Sequence, residues 1–193
     1  MRTLVFATCD VTPEQWAIFK KEACCLPGID DMPVPYTLVF SNHQENLHET
    51  TGLHSPVKSE LVSATYAELK TLFDNFSTAD DIENIIFLII DSQSFIDHTV
   101  VLILRRMAWQ KPDGTDMNIY DESSRPEYTK YITWGKHRAP FINTFTIQSG
   151  HMGCGPPVEE FFVEELEREV LVESEPESSS EESEDSRDYE YEE

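Results

Sequence analysis

Apolar positions along this chain recur now every second residue and now every three or four, and each change of period marks a new element. Thr3 to Thr8 is a short, apolar, β-prone run that ends at Cys9-Asp10, and it predicts a strand. Thr12-Pro13-Glu14-Gln15 then opens a helix: Thr12 suits the cap, Pro13 the first helical position, and Gln15 completes a capping box. Trp16, Phe19 and Ala23 fall at helical spacing and are expected to face a sheet, and Pro27-Gly28 ends the element. Tyr36 to Ser41 predicts a second strand. A polar stretch rich in Asn and His follows, from Asn42 to about Ser59, and a connection that long without regular structure is either functional or mobile. Ser59 or Ser63 is expected to cap the next helix, whose apolar positions Leu61, Tyr66, Leu69, Leu72, Phe73 and Phe76 repeat near 3.6. Thr78 to Glu83 reads as a polar connector.

The centre of the fold is legible in two runs without polar alternation, Ile85 to Ile90 and Val100 to Leu104. Strands of that kind are buried on both faces, so helices must cover both sides of the sheet. Asp91 to Thr99 between them is too short for a helical crossover, which takes a dozen or more residues. The pair is therefore expected to be antiparallel within a mixed sheet; a parallel pair with a very short helix at Ser92 to Asp97 is the weaker option.

From Arg105 onward the periods weaken. Lys111-Pro112-Asp113-Gly114 is a turn. Tyr128 to Trp134 reads as an edge strand, and Ala139 to Ile147 as strand or helix starting at Pro140. Gly150 to Pro157 reads as a loop. Pro157 then begins a last helix with Phe161, Phe162, Leu166 and Val170 as its stripe. The fold class expected is α/β: a single domain over residues 1–172, with a mixed, mostly buried sheet flanked by helices, and a separate tail.

That tail, Glu173 to Glu193, holds eleven acidic residues and no aliphatic side chain. It cannot bury enough apolar surface to offset the roughly 1–2 kcal/mol per residue that ordering a backbone costs, and it is expected to be disordered. The formal charge is −23. Eleven acids against one arginine place −10 of this on the tail, which leaves −13 on the domain. Such a surface repels phosphate backbones and anionic lipid, which disfavours direct nucleic-acid and membrane-surface roles. The nearest approach to a basic patch is Lys130, Lys136, His137 and Arg138. No apolar run approaches a membrane span, and the N-terminal run is too short for a signal peptide, so an intracellular location, cytoplasmic or nuclear, is expected. Cys9, Cys24, Cys25 and Cys154 read as reduced, mostly buried thiols.

The strand ending in Cys9-Asp10, the Trp16 helix, the Phe87-to-Asp91 strand followed closely by Val100 to Leu104, and Val158-Glu159-Glu160-Phe161 together resemble a small family of α/β domains of unknown function. The similarity covers most of residues 3 to 165 in order, with residues 42–59 and 111–126 as apparent insertions. It implies the fold and carries no activity, cofactor or partner with it.

Candidate chemistry is sparse. Asp10 and Asp91 each follow an apolar strand. If those strands are parallel neighbours, both carboxylates sit at the carboxyl edge of the sheet, where open α/β folds bind ligands and where two acids can share a divalent metal. Asp91-Ser-Gln-Ser lacks the nucleophile signature of aspartate phosphatases, however, and turn capping accounts for both acids equally well. His151-Met-Gly-Cys154 has metal-pair spacing but no second pair to complete four ligands. His43, His48 and His54 share one polar loop and read as solvated side chains. No nucleophile elbow and no glycine-rich phosphate loop occurs, so no cofactor is expected. In the tail, Ser174, Ser178 and Ser179 each have Glu three residues on, the pattern acid-directed kinases favour, and Ser180 and Ser183 join if a neighbour is modified first.

Three readings follow. The first is a non-catalytic interaction or scaffold protein whose acidic tail tunes solubility or contacts a basic protein. The second is a metal-assisted hydrolase or phosphotransfer-like domain built on Asp10 and Asp91. The third is an acidic nucleic-acid mimic, which needs charge spread over the folded surface and here finds much of it gathered at one end.

Overall fold

The computed structural model of the chain describes residues 2–24, 36–44, 47, 52–79, 81–115, 129–151 and 164–170. In order, they form β1 (Arg2–Ala7), α1 (Pro13–Ala23), β2 (Tyr36–Val39), α2 (Tyr66–Phe76), β3 (Ile82–Ile90), α3 (Ser94–Asp97), β4 (Thr99–Gln110), β5 (Thr129–Pro140), α4 (Thr144–His151) and β6 (Glu164–Val170). A 3-10 turn at Phe141–Asn143 leads into α4. The strands make one six-stranded sheet in the order β2-β1-β3-β4-β5-β6. β1 is parallel to both β2 and β3, and every later pairing is antiparallel. The chain is thus an α/β domain with a mixed sheet, as the two unalternated central runs require.

Two cores lie on opposite faces of the sheet. Val5, Ala7, Leu88 and Leu102 meet Trp16 and Phe19 of α1, with Phe141 and Ile147 beside them. Leu4, Phe6, Phe87 and Trp134 meet Leu69 and Phe73 of α2. Successive residues of a strand point to opposite faces, so β1, β3 and β4 each feed both cores, and this is why their sequences carry no polar alternation. The rings interlock: Phe19 lies edge-on to Phe141 at 5.0 Å, and Phe73 edge-on to Trp134 at 5.9 Å.

The first helix begins as its sequence predicts. The Gln15 N–H donates to the Thr12 hydroxyl (3.2 Å) and the Thr12 N–H to the Gln15 side-chain oxygen (2.9 Å). The second begins later than expected, because neither Ser59 nor Ser63 caps it. Thr65 and Glu68 form a second capping box, with Thr65 N–H to Glu68 Oε2 at 2.7 Å. Such a box satisfies two orphan donors at once, which a lone serine cannot match. Ser59 is used elsewhere: its hydroxyl donates to the Ala7 carbonyl and accepts from the Leu61 N–H at 2.9 Å.

Other expectations shift in informative ways. Ile82 and Glu83 belong to β3 rather than to a connector, and a register shift between Arg2 and Leu4 accommodates them. The Glu83 carboxylate accepts from the Asn84 and Ile85 amides (3.1 and 3.3 Å). β3 and β4 are antiparallel as expected, yet a single helical turn, α3, still fits between them, closed by His98 at a left-handed φ of 55°. The Lys111-Pro112-Asp113-Gly114 turn is present, with the Gly114 N–H donating to the Lys111 carbonyl at 2.9 Å. Gly114 takes a φ of 85°, open to a residue without Cβ.

The larger corrections concern the second half. The expected edge strand at Tyr128 to Trp134 is an interior strand of twelve residues, β5, paired with β4 from Thr99↔Pro140 to Gln110↔Thr129. Pro140 closes that strand and the helical segment follows, so Ala139 to Ile147 is strand first and helix after. Gly150 and His151 finish α4 instead of opening a loop.

The expected final helix is, over Glu164–Val170, an edge strand, β6; Phe161 and Phe162 lie outside the described residues. The reason is visible in its charges. Glu167 and Glu169, two apart, both reach Lys70 of α2, Glu167 at 2.8 Å. That is strand periodicity, and the open edge of β5 supplies the backbone partners. Leu166 has no counterpart between the pairs Trp134↔Glu167 and Gly135↔Glu165, and as the extra residue of this bulge it packs into the α2-side core.

Candidate functional site

The chain leaves β1 through α1 to β2 on one side, then returns through α2 to β3 on the other side of β1, with the two helices on opposite faces. The connections therefore diverge at the carboxyl ends of β1 and β3, the switch point where open parallel sheets bind ligands. Asp10 and Asp91 lie there, as their sequence positions predict. Ala7 and Ile90 are the last paired residues, and the Thr8 N–H still donates to the Ile90 carbonyl at 2.8 Å.

Each carboxylate holds a separate piece of structure. Asp10, exposed, accepts from the Ser59 N–H at 3.0 Å, next to the paired amides and carbonyls of Val11 and Val57. It pins the polar connection back onto the end of β1. Asp91 accepts from the Ser94 N–H (3.0 Å) and hydroxyl (2.9 Å) at the start of α3. Its other side meets the Arg138 guanidinium, whose Nη2 donates to Oδ2 and whose Nη1 also reaches Thr99 Oγ1 at 2.9 Å. Burial pushes the Asp91 carboxyl up, but the bonds and charge of Arg138 and the bonds from Ser94 outweigh it and hold the acid below its usual range.

Cys9 immediately precedes Asp10 and feels both charges. Burial first, and then the negative charges of Asp91 and Asp10, push its thiol up to about 11. At neutral pH it is a protonated thiol and not a nucleophile. Both acids are thus close enough to act on one sulfur, while each keeps its own partners. Cys24 is the C-cap of α1.

The remaining candidates are placed only in part. Among the described residues, no three His, Cys, Asp or Glu side chains come close enough together to hold a metal ion. His151 ends α4, and Cys154 lies outside the described residues, so their pairing is not defined. His43 and His54 are exposed, and His48 lies outside the described residues, as do Cys25 and the whole of Glu173 to Glu193. No helix among the described residues is long and apolar enough to cross a membrane.

Beside Asp91, on the α2 face, a cleft of about 370 Å³ opens. Ile89, Val101 and Ile103 floor it, and Tyr66 and Leu69 of α2 line one side. Lys136 and Arg138 of β5 line it as well. These two cations appear in the sequence within the run Lys130 to Arg138, but only the strand period shows that they share a face while His137 turns to the other. Lys130, at the far end of β5, sits over the Trp109 ring at 5.2 Å and belongs elsewhere. The sequence signal was therefore present, and the missing knowledge was that 129–140 is one uninterrupted strand.

The fold and the site together define an α/β protein with a parallel three-stranded half, an antiparallel three-stranded half, and a polar switch point where the two meet. No protein-family model, curated protein or solved structure matches the chain.

Proposed function

We propose that the chain is a non-catalytic interaction protein, in which the α/β domain is a rigid mount and the acidic segment Glu173 to Glu193 contacts a basic protein partner. The observation that carries this reading is the condition of the two candidate acids. Asp91 is neutralised by Arg138 and occupied by Ser94, and Asp10 is bonded to the Ser59 amide. Carboxylates so engaged serve the loops that join the strands, and a metal-assisted reaction would have to break those bonds first. The net charge of −23 supplies the recognition chemistry: long-range attraction to Lys- and Arg-rich surfaces, screened by salt.

The test is titration of the full chain with a ten-residue lysine peptide at increasing salt, repeated on a variant in which the eleven tail acids are replaced by Gln and Asn. Binding that weakens steeply with salt, and that falls at least tenfold in the variant, about 1.4 kcal/mol, is the expected result. Equal affinity of the two proteins would remove the tail from the account.

A further inference from the structure

We propose that the cleft beside Asp91 is a binding site for a small amphipathic anion: one carboxylate or phosphate head on an apolar body. The inference does not depend on the tail or on a protein partner.

Position, size, lining and charge all favour it. The cleft lies at the switch point of the parallel half of the sheet, where the backbone connections diverge and leave space. Its volume, about 370 Å³, falls within the roughly 300–1,000 Å³ of small-molecule pockets. At its base Ile89 is half-buried above the buried side chains of Val101 and Ile103, and Val62, Tyr66 and Leu166 offer further apolar surface to an incoming body. α2 covers Trp134 and leaves Ile89 half-buried, and β5 changes character along the same face, from Ile132 and Trp134 to Lys136 and Arg138.

The charge is the deciding feature. In a chain of 37 acidic and 14 basic residues, two cations stand together at the rim of an apolar cleft. Arg138 is already oriented by Asp91 and Thr99, which fixes its guanidinium at the rim. Lys136 is exposed and makes no ion pair among the described residues; Glu164, opposite it in the β5–β6 register, forms none with it. An ammonium left unpaired next to a fixed guanidinium is arranged for an incoming anion, and the Ser63 side of the cleft offers a hydroxyl. Asp91 lines the same rim but is paired with Arg138, so the surplus charge is the Lys136 ammonium, and a neutral ligand would offer it no partner.

The experiment is a two-dimensional amide NMR titration of the full ¹⁵N-labelled chain with octanoate, octyl phosphate and, as the neutral control, octanol. Saturable shifts gathered at residues 62–66, 89–91, 101–103 and 136–138, with one or both anions binding at least tenfold more tightly than octanol, are expected. Octanoate alone assigns a carboxylate head, and octyl phosphate alone assigns a phosphate head. Lys136→Glu should weaken the preferred anion about tenfold or more, the scale of a lost charge-assisted contact. Lys130→Glu, the same change of net charge at the far end of β5, should leave it unchanged. The proposal is overturned by octanol binding as well as the anions, by shifts spread over the surface, by no saturable shift up to about 10 mM, or by equal effects of the two charge reversals.

Discussion

Replacing Asp91 by Asn removes one charge and almost no volume, and it separates the two jobs this side chain performs. The amide oxygen of Asn can still accept from the Ser94 N–H and hydroxyl, so the start of α3 keeps its cap. What disappears is the charged half of the pair with Arg138, whose guanidinium is then left at the rim with Thr99 as its only described acceptor. Hydrogen bonds to charged groups contribute about 1.5–3 kcal/mol when sheltered, and fully exposed ion pairs about 0.2–1 kcal/mol. With side-chain exposures of 31% for Asp91 and 34% for Arg138, the pair falls between these limits, at about 1 kcal/mol. For a chain of this length that is a loss of about 2–4 °C in Tm.

The sign of the pH dependence is fixed by the direction of the shift. The folded carboxyl sits below its ordinary value, so its contribution is present above the unfolded pKa of about 3.9 and is lost as pH falls through the folded one. Urea unfolding of the wild type and of Asp91→Asn at pH 7, 5.5 and 3 should therefore show one gap at the first two values and a smaller one at the third. A variant as stable as the wild type at pH 7 would refute the pairing, and a gap unchanged at pH 3 would show that the loss is not one of charge.

Trp134→Ala should cost about 3–5 kcal/mol in urea unfolding, because Trp134 is 1% exposed and closes the α2-side core against Phe73 and Phe87; a loss under 1 kcal/mol would place that core elsewhere. Lys70→Met removes the cation that Glu167 and Glu169 share, and amide exchange should speed up across Glu164–Val170 while the amides of Arg2–Ala7 and Ile82–Ile90 keep their protection; uniform acceleration would contradict a local role. Iodoacetamide at pH 8, followed by peptide mapping, should modify Cys9 roughly two orders of magnitude more slowly than an ordinary thiol, given a thiol pushed up to about 11. Treatment with an acid-directed serine kinase should add phosphate within Ser174 to Ser183, read by intact mass and fragmentation, and an unchanged mass would dismiss the tail as its substrate.

The sequence was most readable where one physical cause acted alone. Ile85 to Ile90 and Val100 to Leu104 announce strands because burial on both faces leaves no polar alternation, and Thr12 with Gln15 announces a helix because the capping box is local. It was least readable where a partner distant in sequence decided the outcome. Glu164–Val170 carries Leu166 and Val170 at helical spacing, yet the free edge of β5 and the ammonium of Lys70 make it a strand. Ser59 resembles a helix cap until the Ala7 carbonyl, 52 residues away, takes its hydroxyl. Asp10 and Asp91 were legible as a pair at one edge because strand ends are local features, whereas the Arg138 that occupies Asp91 comes from a strand whose extent no local pattern gave.

That dependence on β5 also explains why the cleft lies on one face only. On the α1 face, the chain leaving Pro140 turns at once into Phe141 and then α4, and Ala139, Phe141 and Ile147 seal the ends of the strands. On the α2 face none of the described residues returns over β4 and β5 at that level, and the two positions of β5 exposed there, 136 and 138, are cationic rather than apolar. A strand that ended near Trp134, as a reading of local propensity suggests, would carry neither cation to the switch point, and Asp91 would face it unpaired. The six residues by which β5 outruns that expectation therefore determine both the resting partner of Asp91 and the charge of the cleft beside it.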